Sequence, residues 1–286
     1  MISLDIFSRE TNMDVSISNG QQNLAIAQII LFSVIQLIQL PMRYTQEWRY
    51  WHHGKRQSPA RCILYSWWSM IGLLSMIRIV GSAMVLSDSH PDESTLTAEI
   101  SLQSVGLSPL FFEVSLVLLR CYAHDSGEAG EFGPGNSKYP KALRFALHGF
   151  RFPVIVSIIL GVVGKIIKIK ALGEAGSVLL IVLFAFVCGL VIWLAVKSRS
   201  ILPMEGHRGV LLVMLALPFL LVRVIYFLLQ EVGPAKFDLA SGDVGVLAGM
   251  GLVMEIIVVI LLLTARAFAE PIWKTDKARR VLSDDI

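Results

Sequence analysis

The amino-acid sequence predicts an all-α integral membrane bundle of seven transmembrane helices, N-terminus lumenal and C-terminus cytosolic. Three observations carry this expectation. Charged residues are 16% of the 286-residue chain and hydrophobic residues 55%, whereas a soluble domain carries about 25% charged residues. The mean hydropathy is +0.65. The apolar residues fall in long blocks, such as 176–196 and 244–265, and about 20 such residues are what a helix needs to cross the hydrocarbon layer.

The spans read in order as residues 23–42, 62–86, 98–120, 145–167, 176–196, 208–230 and 244–267. Backbone polar groups cannot go unpaired in lipid, so each block is a helix rather than an open strand. Arg151, Pro153 and Lys165 interrupt the fourth, and Pro109, Pro153 and Pro218 mark expected kinks. The chain divides into a polar segment (1–22), the seven-helix domain (23–268) and a cytosolic tail (269–286). The polar start carries Asp5, Glu10 and Asp14 against Arg9 and lacks the basic-then-apolar pattern of a cleaved signal peptide. The first span is therefore expected to serve as an uncleaved anchor. The loop 126–139, rich in glycine, reads as solvated.

Basic residues near span ends set orientation. Loops after spans one, three and five, with the tail, hold seventeen, including Arg43, Arg49, Lys141, Arg144, Arg199 and Arg266. The opposite side holds five, Arg9, Lys165, Lys168, Lys170 and Lys236. Trp48, Trp51, Tyr65, Trp67 and Trp68 gather at the cytosolic boundary, where amphipathic rings prefer to lie. Cys62, Cys121 and Cys188 form no disulfide framework, and no Asn-x-Ser/Thr sequon occurs.

Ionisable residues inside spans cost about 2.5–3.5 kcal/mol each on insertion scales and are functional candidates. They are Arg78, Glu113, Arg151, Arg223 and Glu255, with Glu99 and Asp243 at outer ends. Counting along helices puts Glu113 about 10 Å and Arg151 about 9 Å from the cytosolic boundary, so the two are expected to pair. Arg78 and Arg223 lie at about 22–24 Å and Glu255 at about 16–18 Å, within reach of a long arginine. Arg223, Tyr226 and Gln230 share one helical face. Such charges serve either as interhelical ion pairs or as the walls of a ligand cavity. Two arginines and one carboxylate leave a positive surplus that an anionic or electron-rich ligand would answer.

Several chemistries have no residues to carry them. Span seven has no lysine for a retinal Schiff base, no spaced His pairs lie within spans, and no Asp-rich diphosphate motif occurs. No Walker loop or nucleic-acid motif is present, and neither metal nor cofactor is expected. A seven-span receptor is the alternative class, although span three lacks an outer cysteine and an Asp-Arg-Tyr-like end. A transporter finds no internal repeat to support it.

Arg78-Ile79-Val80-Gly81 in span two, Gly106-Leu107-Ser108-Pro109 in span three, the run from Leu217-Pro218 to Arg223-Val224-Ile225-Tyr226 in span six, and Met254-Glu255 in span seven form a series. That series resembles a fungal family of seven-span membrane proteins. It is similar to the membrane-bound terpene cyclases of fungal meroterpenoid pathways, of the ascofuranone and macrophorin type. The resemblance covers most of the chain from span two onward. It implies a metal-independent enzyme that protonates an epoxide or terminal alkene of a farnesyl-type chain carried on a polyketide-derived ring. It also implies a lipophilic substrate drawn from the bilayer. The membrane expected for the chain is that of the endoplasmic reticulum.

With the depths above, this gives expected roles in a cavity among spans two, three, six and seven. Glu255 is the expected proton donor, with Asp243 and Glu113 as substitutes. Arg78 and Arg223 are expected to hold the oxygenated end of the substrate, and Tyr226 to orient it. An acid tightly paired to arginine is a poor proton donor. The scheme therefore expects Arg78 and Arg223 to be engaged elsewhere, by Asp243 or by the substrate.

Overall fold

The computed structural model describes residues 19–52, 59–67, 69–87, 102, 106–123, 141–167, 169–201, 204–232 and 243–268. They form α1 (Asn19–His52), α2 (Pro59–Trp67), α3 (Met70–Ser87), α4 (Leu107–Ala123), α5 (Lys141–Gly149), α6 (Arg151–Ile166), α7 (Lys170–Ile201), α8 (Met204–Val232), α9 (Val244–Val246) and α10 (Met254–Phe268). A π-helical stretch, Leu247–Val253, joins α9 to α10. The polar start, the tail and the glycine-rich loop lie outside the described residues.

The described residues form an all-α integral membrane bundle. Among the described residues six helices are long and apolar enough to cross a bilayer, namely Asn19–Gln46, Met70–Ser87, Phe145–Gly164, Ala171–Lys197, Gly206–Gln230 and Val244–Phe268. The polarity of the bundle is inverted relative to a soluble domain. Leu37, Val196 and Phe145 are 74%, 76% and 80% exposed, while Gln39, Glu113, Glu255 and Arg266 are buried. Apolar side chains gain nothing by leaving lipid, so the interior is held by close packing and polar contacts instead.

α4 is the central element and packs against α3, α5, α6, α8 and α10. Its 17 residues rise about 25 Å. The start of the expected third span, at 98–105, lies almost wholly outside the described residues. The helix is buried nearly all round, from Leu110 and Phe111 to Glu113, Val117 and Leu118, as expected of a helix enclosed by others. α1 packs on α3, α8 on both α7 and α10, and α6 on α7. The α6–α7 approach depends on missing side chains: a Cβ at Gly164 would lie 2.6 Å from the Gly173 nitrogen, and one at Gly176 2.8 Å from the Ser157 carbonyl oxygen. Ser157 Oγ donates to the Gly176 carbonyl at 2.7 Å across this seam, a small-residue interface that lets backbones touch.

Three departures from the expected spans have local causes. The second span is divided: α2 ends at Trp67 and Ser69 starts α3, its Oγ accepting from the Gly72 nitrogen at 2.9 Å in the manner of an N-cap. The fourth is divided near Gly149–Phe150, because Pro153 has no N–H to return to the Gly149 carbonyl. The seventh contains the π turn, whose extra residue per turn rotates everything after it relative to an α-helix. Pro218 lies within α8, and Pro41, not expected as a kink, lies within α1.

Candidate functional site

Arg78 on α3, Arg223 and Tyr226 on α8 and Glu255 on α10 converge in one buried centre. Arg78 grips Glu255 with two donors, Nε to Oε1 at 2.8 Å and Nη2 to Oε2 at 2.6 Å. Arg223 Nη2 reaches the same Oε2 at 2.8 Å. All three side chains are buried, and parallel donation by one guanidinium to both carboxylate oxygens fixes orientation as well as charge. The Arg223 guanidinium also lies over the Tyr226 ring, 5.6 Å from its centroid, a cation–π contact strengthened by desolvation.

A glycine makes the centre possible. A Cβ on Gly106, just before α4, would fall within the Arg78 guanidinium, 2.8 Å from Cζ. A Cβ on Gly251, inside the π turn, would lie 3.4 Å from Arg223 Nη1. The contact at Gly251 is an ordinary one, so it is Arg78 alone that needs bare backbone, at Gly106. Glu255 follows the π turn by two residues, so that turn sets the direction from which its carboxylate enters.

A small cavity of about 10 Å³, room for little more than a water, adjoins the centre, lined by Gln28, Arg78, Arg223, Gln230, Leu247, Gly251, Leu252 and Glu255. Gln28 on α1 is positioned by Ser82, whose Oγ donates to Oε1 at 2.6 Å. The Arg223 Nε is buried with no hydrogen-bond partner, an expensive state for a charged donor. Two guanidiniums against one carboxylate leave a formal charge of +1. The cavity wall therefore offers a cation with one unused donor, two carboxamides and an apolar flank. It can hold a small oxygen-bearing or anionic group.

The other two candidate carboxylates are elsewhere. Asp243 is exposed and caps α9, its Oδ1 accepting from the Gly245 nitrogen at 2.8 Å. Twelve residues separate it from Glu255, roughly 18 Å of helix, so it engages neither arginine. The expectation that Arg78 and Arg223 are drawn off Glu255 by Asp243 is corrected: both are engaged by Glu255 itself.

Glu113 belongs to a second, inner centre. Arg266 Nη1 donates to its Oε1 at 2.5 Å, and Arg43 Nη2 lies 3.3 Å from Oε2. Gln46 accepts from Arg266 Nε at 3.1 Å. The expected Glu113–Arg151 pair is not among the described ion pairs. Arg151 Nε instead donates to Ser115 Oγ at 3.2 Å. Ser115 is two residues beyond Glu113, and residues two apart on a helix face different ways. Depth agreed with the expected pair, but azimuth did not.

Arg43 and Arg266 read in the sequence as loop and tail charges, yet both are buried. Signals existed for each. Gln28, Gln36, Gln39, Arg43 and Gln46 recur on one face of α1, and Arg266 follows Glu255 by eleven residues, close to three full turns. Gln39 accepts from Ser69 Oγ at 2.7 Å and donates to Gln36 at 3.1 Å, so the stripe is polar glue along the α1–α3 seam.

A family model described as a domain of unknown function, DUF7702, matches residues 19–268. No curated protein and no solved structure matches the chain. The match takes in every described helix and both charged centres, and the chain belongs to the DUF7702 family.

Proposed function

We propose that the chain is a metal-independent terpene cyclase embedded in the endoplasmic reticulum membrane, acting on a prenylated, polyketide-derived substrate of fungal secondary metabolism. In this reading α4 completes a seven-span bundle, with the N-terminus lumenal and the C-terminus cytosolic. The excess of basic residues on one side supports that orientation. The observation that carries the site assignment is the buried Arg78–Glu255–Arg223 centre beside a cavity into which Arg223 brings an unpartnered donor. Of the three candidate carboxylates only Glu255 lines that cavity. The resemblance of Arg78 to Gly81, Gly106 to Pro109 and Leu217 to Tyr226 to meroterpenoid cyclases supplies the reaction class.

The reaction is an isomerisation. A proton from the acid is added to the epoxide oxygen, or to the terminal alkene carbon, as the C–O or π bond breaks. Successive alkenes of the chain attack the cation, and a final C–H proton is lost to a base. Glu255 accepts at both oxygens in the closed geometry, so it becomes a donor only when the substrate's oxygen takes over an arginine. Arg223 is the one that moves, because it contributes one contact to Glu255 whereas Arg78 contributes two. Tyr226 stays beneath the guanidinium and limits its swing. At about 10 Å³ the cavity admits little more than a water-sized group, far below the roughly 300–1,000 Å³ of drug-sized sites. It takes the oxygenated end, while the prenyl chain enters by parting α8 from the Leu247–Val253 turn.

A second reading is a non-catalytic receptor-like protein, favoured by the same closed triad, which satisfies both oxygens of Glu255. Turnover separates the two. Membranes from a host expressing the chain are supplied with an epoxidised prenyl-phenol, and cyclised product is measured. The cyclase reading expects product from the parent and a loss of at least about 100-fold in Glu255→Gln, which keeps shape but has no proton to give. A folded parent that converts none of a panel of prenyl-phenols sinks the cyclase reading and leaves the receptor.

A further inference from the structure

The cavity beside Arg78, Arg223 and Glu255 is closed on one side by a feature repeated on four helices. One turn from Gln28 on α1 stands Phe32, and one turn from Arg78 on α3 stands Leu74. One turn from Arg223 on α8 stands Leu220, and one turn from Glu255 on α10 stands Val258. α3 runs against α1, since Ser82 meets Gln28 and Ser69 meets Gln39. α10 runs with α1, since Arg266 meets Gln46, and α8 brings Gln230 to the cavity near its own end at Val232. All four steps therefore point away from the face that carries Asn19 and Val232. Phe32, Leu74, Leu220 and Val258 are fully buried and belong to one apolar core. Such a layer excludes water, as apolar cavities stay dry.

On the other side the wall turns polar. Gln28 and Gln230 supply carboxamides, and Gln230 is half-buried, two residues from the end of α8. Arg223 lines the same space with its Nε buried and without a hydrogen-bond partner among the described residues. A charged donor left unmade is costly, and a space of about 10 Å³ is that of one water.

We infer that this cavity is a binding site for a single water, which exchanges with one face of the membrane only. Arg223 Nε donates to the water's oxygen. The water donates to the carboxamide oxygens of Gln230 and Gln28, the latter keeping a lone pair beyond the one that takes Ser82 Oγ. Exchange runs past Gln230 toward the Asn19–Val232 face. The Phe32–Leu74–Leu220–Val258 layer closes the other way and parts the outer centre from the inner one. Size selects the occupant: a halide would offset the positive charge of the centre, but it is larger than the water this space admits. The inference holds whether or not the centre is catalytic, and no turnover enters its test.

The full chain, carrying isotope-labelled arginine in nanodiscs, is followed by proton-exchange NMR. The Arg223 Nε–H signal, identified by its loss in Arg223→Lys, is expected to exchange directly with water. The Arg78 Nε–H, bonded to Glu255, is expected not to. Gln230→Leu sets an apolar group across the route and slows the Arg223 exchange at least about tenfold. Val258→Ala enlarges only the apolar layer and leaves the rate within about twofold. A high-resolution structure of the parent in bromide is expected to show one density peak about 2.7–3.2 Å from Nε and no bromine signal there. Absence of exchange at Arg223 Nε overturns the site, and a bromine signal overturns the water assignment. Faster exchange in Val258→Ala, with Gln230→Leu at the parent's rate, overturns the one-sided route. Should Arg223→Lys fail to fold, Tyr226→Leu, which removes the ring beneath the guanidinium, identifies the signal by its shift.

Discussion

Gly106→Ala isolates the contact on which the outer centre depends. The added Cβ would fall within the Arg78 guanidinium, 2.8 Å from Cζ, so Arg78 has to withdraw from Glu255. Two hydrogen bonds, at 2.8 and 2.6 Å, are then lost from a fully buried pair. Breaking such a pair by removing one partner costs about 3–5 kcal/mol. Arg223 still faces Glu255, so about 3 kcal/mol is expected. In an Arg78→Met background the guanidinium is absent and the same Gly106→Ala change meets no charged group. There it is expected to be neutral or to stabilise by up to about 1 kcal/mol, by restricting the unfolded chain. The assay is thermal unfolding of the four proteins of this cycle in nanodiscs. A shift of about 2–4 °C per kcal/mol puts Gly106→Ala roughly 6–12 °C below the parent. If Gly106→Ala destabilises equally with and without Arg78, the glycine is not serving the arginine and the reasoning fails.

The inner centre predicts strong coupling between Glu113 and Arg266 and little between Glu113 and Arg151. Double-mutant cycles should give more than about 1 kcal/mol for the first pair and less than about 0.5 kcal/mol for the second, and reversed values would restore the pair expected from depth. Gly164→Ala should cost about 1–3 kcal/mol by overpacking the α6–α7 seam, read as a lower melting temperature; an unchanged protein would show that the helices can separate freely there. Reporters fused after Ile286 and at Met1 should be cytosolic and lumenal respectively, and a pair of ends on one side would remove a span from the proposed seven.

Much of the bundle was legible because two quantities in a membrane helix are nearly fixed. The rise per residue sets span length and depth, and lipid forbids unpaired charge. Together they brought Glu255 within reach of Arg78 and Arg223 from the sequence alone, and the three-residue step put Tyr226 beside Arg223. Rotation about the helix axis was less legible. Glu113 and Arg151 matched in depth, yet Ser115 rather than Glu113 faces Arg151. The π turn cannot be read from Leu247 to Val253 as apolar sequence. Arg43 and Arg266 were hidden for another reason. A basic residue at a span end obeys the same rule whether it faces the cytosol or turns inward to a buried carboxylate. The break at Ser69 follows from cap chemistry, but a single serine before an apolar run is a weak signal among many.

The central claim is that Glu255, beside Arg78 and Arg223, is the acid that starts cyclisation, while Asp243 and Glu113 hold structure. Product formation from an epoxidised prenyl-phenol, normalised to folded protein in the membrane, tests it across Glu255→Gln, Asp243→Asn and Glu113→Gln. Glu255→Gln should fall at least about 100-fold. Asp243→Asn should stay within about twofold, because asparagine caps a helix about as well as aspartate, and the folded fraction of Glu113→Gln should turn over like the parent. Parent-rate cyclisation by Glu255→Gln, or a larger loss in Asp243→Asn than in Glu255→Gln, would contradict the account.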